Sequence, residues 1–300
     1  MRPLVALDWG SSSLRGALLD RQGKVLQERA CAQGILNVKL GTFAEVFRDF
    51  CGDWMQGEDA LCLISGMAGS RQGWLEAPYC PCPAGFLELA QALAWLPSVP
   101  NLRGRIGMVP GMSCERLGLP DVMRGEEVQI MGAVHLLGLR DATLILPGTH
   151  SKWVQWRSAR VEHFSTFMTG EFYGLLRRHS ILARTLPAED GPLQWQAFDE
   201  GVERALSDAS LLHTAFSTRT LALFERLTAD ALPSYLSGLV IGEELRAQAT
   251  IALELPLVLI GSAPLTSRYQ RALAQRSIQA QVLGPEAGWQ GLWSIAGQLG

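Results

Sequence analysis

Leu4-Val5-Ala6-Leu7-Asp8-Trp9-Gly10-Ser11-Ser12-Ser13 decides the reading of the chain. Four apolar residues read as a buried strand. An acid, a glycine and three hydroxyls then end it. A carboxylate at the end of a buried strand is costly unless it meets a partner. Backbone N–H groups in such a turn, with serine hydroxyls, make an anion-binding concavity. Downstream, residues 13–20 form another strand, Gln22-Gly23 signals a turn, and residues 24–30 return. The segment is therefore a hairpin laid beside the first strand.

The same design recurs. Thr143-Leu144-Ile145-Leu146 is an apolar strand ended by Pro147-Gly148-Thr149-His150-Ser151, and two strands over 152–157 and 161–168 follow, joined by Ser158-Ala159. One α/β fold is used twice, with residues 1–140 expected in a first lobe and 141–300 in a second, the last helix packing back onto the first. Two such loops can hold a triphosphate from both sides, and Asp8 can hold Mg²⁺ directly or through water. Each loop taken alone also reads as a plain polar turn.

Between these landmarks the pattern predicts helices over 42–55 (Thr42 as N-cap with Glu45 three residues on), 86–96 and 126–139, and strands over 60–64 and 105–109. Further helices are expected over 172–182, 197–213, 221–227 and 234–253. A strand over 257–260 ends in Gly261-Ser262-Ala263, where small residues allow close approach of a flat ligand such as adenine. A helix over 266–276, a strand over 279–283 and a helix over 286–299 close the chain.

Composition removes several function classes. The 26 Lys and Arg against 29 Asp and Glu give a net charge of −3, so no broad basic field exists for nucleic acid or an anionic membrane. Charged residues are 18% and apolar residues 48%, the balance of a packed enzyme. The six cysteines fit no zinc spacing, since Cys80-Pro81-Cys82 is too tight, and read as reduced core residues. No apolar run is long enough to span a membrane, and the N-terminal run lacks signal-peptide features, so a cytoplasmic location is expected.

The three loops, in this order, resemble the phosphate-1, phosphate-2 and adenosine motifs of the acetate-and-sugar-kinase, heat-shock-70 and actin superfamily, along essentially the whole chain. The resemblance implies a two-lobed, actin-like (ribonuclease H-like) fold with ATP in the cleft between lobes that close over it. Glycerol-kinase-type members carry Gly-Asp-Gln on a helix before phosphate-2, the Asp being the base. Gly125-Glu126-Glu127-Val128-Gln129 stands there, so Glu126 aligns with the base and Glu127 competes. Acids in a first helical turn are also ordinary caps. The superfamily often has Asp before the phosphate-2 Gly-Thr, where this chain has Pro147, which leaves Mg²⁺ to Asp8.

Longer strings are similar to the 2-dehydro-3-deoxygalactonokinase family in particular: Ser65-Gly66-Met67-Ala68-Gly69-Ser70-Arg71-Gln72-Gly73-Trp74, Asp121-Val122-Met123-Arg124-Gly125-Glu126-Glu127, Gly148-Thr149-His150-Ser151-Lys152-Trp153, Thr166-Phe167-Met168-Thr169-Gly170-Glu171 and Ser237-Gly238-Leu239-Val240-Ile241-Gly242-Glu243. That resemblance implies transfer of the ATP γ-phosphate to the 6-hydroxyl of 2-dehydro-3-deoxygalactonate, in galactonate catabolism. On this reading Gly10, Ser11, Ser12, Ser13, Gly148, Thr149, His150, Ser151, Gly238, Gly261, Ser262 and Ala263 hold the nucleotide. Arg71 grips the substrate carboxylate, with Gln72 and Trp74 beside it, because arginine binds carboxylates bidentately. Arg15 is a second candidate or ties the hairpin down, Lys152 reaches phosphate or substrate or is a solvated strand residue, and a second copy of the chain stays among the candidate partners. Competing readings are a kinase for another sugar or sugar acid, such as 2-dehydro-3-deoxygluconate, and an ATP-driven binding module.

Overall fold

The computed structural model describes residues 3–57, 59–100, 102–207, 210–248 and 256–299. The strands in chain order are β1 (Leu4–Trp9), β2 (Leu14–Leu19), β3 (Val25–Cys31), β4 (Leu61–Ser65), β5 (Cys80–Pro81), β6 (Ala94–Trp95), β7 (Arg105–Met108), β8 (Met112–Arg116), β9 (Leu119–Met123), β10 (Ala142–Leu146), β11 (Ser151–Arg157), β12 (Arg160–Phe167), β13 (Leu257–Ile260) and β14 (Gln281–Leu283). The helices are α1 (Phe43–Cys51), α2 (Phe86–Gln91), α3 (Glu126–Leu137), α4 (Thr169–His179), α5 (Trp195–Leu206), α6 (Leu211–Thr214), α7 (Ser217–Leu223), α8 (Leu232–Ala247), α9 (Ala263–Ala274) and α10 (Ala287–Ala296). Two compact units result: Met1–Ala142 with Val154–Phe164 and Leu283–Gly300, and Thr143–Trp153 with Ser165–Val282.

The first sheet runs β3-β2-β1-β4-β7-β6 and the second β12-β11-β10-β13-β14. The first five strands of one repeat the order of the other. In each, the opening strand pairs parallel with the strand that follows a long excursion: β1 with β4, and β10 with β13. The apolar runs of β1, β4, β10 and β13 follow from this central placement, since a strand covered on both faces has no polar side.

Helices cover the sheets through apolar stripes and bare backbone. On α1, Phe43, Phe47 and Cys51 recur every four residues and pack with Val5, Leu7 and Trp9. In the first unit α10 packs on α3, and side chains are missing where they meet: a Cβ on Gly132 would come within 1.7 Å of Ala287 O, and one on Gly291 within 1.8 Å of Val128 O. In the second unit α5 meets α8 in the same way, with Gly201 against Tyr235 O and Gly238 against Phe198 O.

Several elements depart from the sequence pattern. The helix expected over 86–96 stops at Gln91, and Ala94–Trp95 pairs antiparallel with β7. Trp95 lies over side-chain-free Gly107 and under the Arg105 guanidinium, 3.7 Å from its ring centroid, so packing overrides the helical period. The β8–β9 hairpin was not anticipated; its turn, Leu117-Gly118, has both φ positive and lacks the usual Asn-Gly signal. Thr42 does not cap α1: its hydroxyl donates to Lys39 O instead. The helix expected over 197–213 divides into α5 and α6, and the end of the one expected to reach 253 lies outside the described residues. No described helix is long and apolar enough to cross a membrane.

Candidate active site

In the first unit the carboxyl ends of β1 and β4 lie side by side, with Asp8 opposite Ser65. Across the other edge of β1, Asp8 faces Arg15 of β2. Burial pushes the Asp8 carboxyl above its ordinary value, and the Arg15 charge draws it back. The turn after β1 is closed by Gly10 N–H donating to Ser13 O at 3.0 Å. Gly10 O and Ser11 O in turn accept from Ile35 N–H and Leu36 N–H. Ser11, Ser12 and Ser13 are all exposed on this clasped loop.

Two glycines bring the start of α3 onto the end of β4. Gly66 has φ +93°, and a Cβ there would stand 2.9 Å from Trp9 O and 3.2 Å from Asp8 Oδ1. Gly125 has φ +106°, and its missing Cβ would lie 3.5 Å from Gly66 Cα. Both are left-handed conformations that a side chain would strain. The two acids that follow Gly125 differ. Glu127 is fully buried, accepting from Gly125 N–H at 2.6 Å and from Ser65 Oγ at 3.3 Å. Burial first, then the Glu126 charge, pushes the Glu127 carboxyl up to about 8. Glu126 is half-buried and accepts from Arg124 N–H at 3.0 Å.

The loop after β4 divides its expected substrate residues. The Arg71 side chain is 88% exposed and pairs with Glu76 at 3.5 Å, and Gln72 is exposed as well. Trp74 turns inward, edge-on to Trp9 at 6.0 Å and tilted against Phe47 at 5.4 Å, so its ring belongs to the core. Arg15 lies 5.7 Å from the Trp289 ring centroid.

In the second unit the loops after β10 and β13 also leave one end of a parallel strand pair, the usual ligand position in α/β sheets. Gly261 lies against Pro147: a Cβ there would be 3.6 Å from Pro147 O. Ser262 and Ala263 are exposed beyond it. Gly170 allows α4 to press on the Gly148 loop, since its Cβ would come within 2.5 Å of Gly148 O. Glu171 N–H donates to Thr149 O, and the Glu171 carboxylate meets His150 Nε2 at 2.5 Å. Thr149 and His150 are exposed, whereas Ser151 and Lys152 are buried. Lys152 Nζ donates to Thr166 Oγ1 at 2.8 Å, which removes it from the solvated face.

Ser151 leads to a residue that the sequence reading passed over. Its hydroxyl donates to Glu244 Oε1 at 2.7 Å. Glu244 also accepts from Trp153 Nε1 and Tyr269 OH, each at 2.6 Å, and from Thr169 Oγ1. Burial raises its pKa while these donors oppose the rise. The signal was available as a second acid on an otherwise apolar helix.

Beside this hub a cavity of about 60 Å³ is lined by Gly148, Gly170, Val240, Ile241, Leu265 and Arg268. Arg268 Nη1 donates to Ser237 Oγ at 3.2 Å. Gly238, expected at the nucleotide, packs against α5, where a Cβ would stand 2.1 Å from Phe198 O.

A sequence model of the 2-keto-3-deoxy-galactonokinase family matches residues 8–295. The chain is 35% identical over 281 residues to a Rhizobium meliloti (strain 1021) protein bearing the name 2-dehydro-3-deoxygalactonokinase, covering 93% of this chain and 91% of that one. It is 32% identical over 294 residues to the 2-dehydro-3-deoxygalactonokinase of Escherichia coli (strain K12), covering 97% of each. A crystal structure of a Sinorhizobium meliloti protein assigned the same name superposes with a TM-score of 0.89 at 32% identity, covering 98% of this chain and 97% of that one.

Proposed function

The chain belongs to the 2-keto-3-deoxy-galactonokinase family, and from that membership we propose that it transfers the γ-phosphate of ATP to the 6-hydroxyl of 2-keto-3-deoxygalactonate. The products are ADP and the 6-phosphorylated sugar acid. In this reading the second unit holds the nucleotide: backbone amides of the Gly148 loop face the phosphates, and the Gly261-Ser262-Ala263 turn takes the base. The first unit holds the acceptor.

One observation carries the reading furthest. Gly66 and Gly125 draw the end of β1, the end of β4 and the start of α3 into one cluster, so a carboxylate on each side of it can serve a hydroxyl. Phosphoryl transfer asks for positioning and charge neutralisation more than covalent chemistry. Glu126, half-buried and N-terminal on α3, accepts the proton of the attacking hydroxyl. Glu127, buried below it, holds β4 to α3.

Mg²⁺ fits this donor set in a limited way. Among the described residues no group of three or more His, Cys, Asp or Glu is gathered to hold a metal. Mg²⁺ ordinarily keeps several waters and takes one or two carboxylates besides substrate phosphates, which a single acid can satisfy. Asp8 would hold it, and the ion would offset phosphate charge.

The test is ADP release from ATP and Mg²⁺ with 2-keto-3-deoxygalactonate, its gluconate epimer and neutral sugars offered in turn. Turnover with the keto-deoxy acids alone supports the reading. Turnover indifferent to every sugar overturns it.

A further inference from the structure

Arg124 is the last residue before Gly125, at the turn from β9 into α3. Its Nη2 donates to Ala77 O at 2.8 Å, and its guanidinium lies over the Tyr79 ring at 4.6 Å from the centroid. The other two nitrogens are different. Nε and Nη1 are both shielded from solvent and neither has a hydrogen-bond acceptor. Gly69 stands against one of them, where a Cβ would come within 3.0 Å of Nη1. In the same turn Ser70 Oγ is also buried without a partner.

An arginine keeps its charge at every relevant pH, so it cannot escape burial by losing a proton. Two unpaired donors on a desolvated guanidinium are costly, and the cost is recovered when an anion arrives. The unpaired Nε–H and Nη1–H groups are charge-assisted donors that the oxygens of a carboxylate can satisfy. Arg71 lacks these properties, being exposed and already beside Glu76.

We propose that Arg124, with Ser70 in the adjoining turn, seats the substrate's carboxylate, and that this residue makes the enzyme select a sugar acid over a neutral sugar. The proposal rests on the kinase reading. It assigns the acid end of the substrate to the Gly69–Ser70 turn and the hydroxyl end to Glu126.

The experiment compares the wild-type protein with R124Q, R124K and S70A on two acceptors, 2-keto-3-deoxygalactonate and its C1 amide, which keeps every hydroxyl but carries no charge. KM and kcat are read from ADP release, and thermal melts report folding. R124Q is expected to raise KM for the acid by about 30-fold or more while leaving KM for the amide within about twofold. R124K, which keeps the charge without the separate Nε–H and Nη1–H donors, should give a smaller rise confined to the acid, and it carries the test should R124Q fail to fold. S70A should raise KM for the acid alone. An unchanged KM for the acid, or equal rises for acid and amide, overturns the assignment of Arg124. A wild-type protein inert on the acid overturns the kinase reading itself.

Discussion

Ser65 Oγ lies 3.3 Å from Glu127 Oε1, so the last residue of β4 is tied to the first turn of α3 through a fully buried carboxyl. That contact separates two acids adjacent in sequence. Glu127 is spent on holding two elements together, and Glu126 is left at the half-buried position from which it can meet a substrate. E126Q is therefore expected to lower kcat by roughly 10²–10⁴-fold with little change in either KM, the range for losing a general base. E127Q keeps an acceptor for Gly125 N–H and offers an amide N–H to the Ser65 hydroxyl, which can accept it, and should cost much less in kcat. Steady-state kinetics of both variants decide the matter: a larger loss in E127Q moves the base to Glu127.

Glu127 also makes stability depend on pH with a definite sign. Its ordinary value is 4.5, and burial raises it to about 8 in the folded chain. The folded state therefore holds a proton that the unfolded state releases. The resulting contribution is complete below pH 4.5 and is lost as pH rises toward 8. Glutamine has no proton to lose, so E127Q should gain stability relative to wild type across this window, by at most about 1.4 kcal/mol per pH unit. Urea melts of both proteins at several pH values check it, and parallel curves would overturn it.

Gly238 offers a clean separation of packing from binding. Its missing Cβ would stand 2.1 Å from Phe198 O and 2.9 Å from Val202 N, in the contact between α5 and α8. G238A should lower stability by about 1–3 kcal/mol, the cost of overpacking a tight contact. KM for ATP of the folded fraction should stay put. A rise in KM for ATP without a fall in Tm would return Gly238 to the nucleotide site.

The legible parts of this molecule are those where local pattern and tertiary use agree. The apolar runs at Leu4–Trp9 and Leu257–Ile260 are central strands, and a run that short with no polar face has few other uses. Gly66 and Gly125 each stand in a quoted motif, but their mutual approach was not legible, because it depends on residues far apart in the chain meeting in space. Trp74 and Arg71 show the complementary limit. Both sit in one distinctive string, yet the pairing of Trp74 with Trp9 and Phe47 is a property of the core, and the exposure of Arg71 a property of the loop's path. Sequence spacing specifies neither. Arg124 was inside a quoted motif and went unassigned, since nothing local reveals that half of a guanidinium lacks acceptors.

Glu244 sets the last prediction. Its two oxygens take donors from Ser151, Trp153, Thr169 and Tyr269, which belong to β11, α4 and α9, while Glu244 itself is on α8. Ser151 follows the Gly148 loop directly, so the carboxylate fixes the exit of that loop without touching a ligand. In E244Q one oxygen becomes an NH₂ that faces donors, leaving at least one of them unpaired at about 1–3 kcal/mol. Melting should fall accordingly. KM for ATP should rise, because the loop loses its anchor, while KM for the sugar acid should not follow, since the residues proposed for the acceptor, Glu126 and Arg124, belong to the first unit. Kinetics run well below the melting temperature separate these effects. Equal rises in both KM values, or a loss of stability with neither changed, would reduce Glu244 to a core residue with no part in positioning the loop.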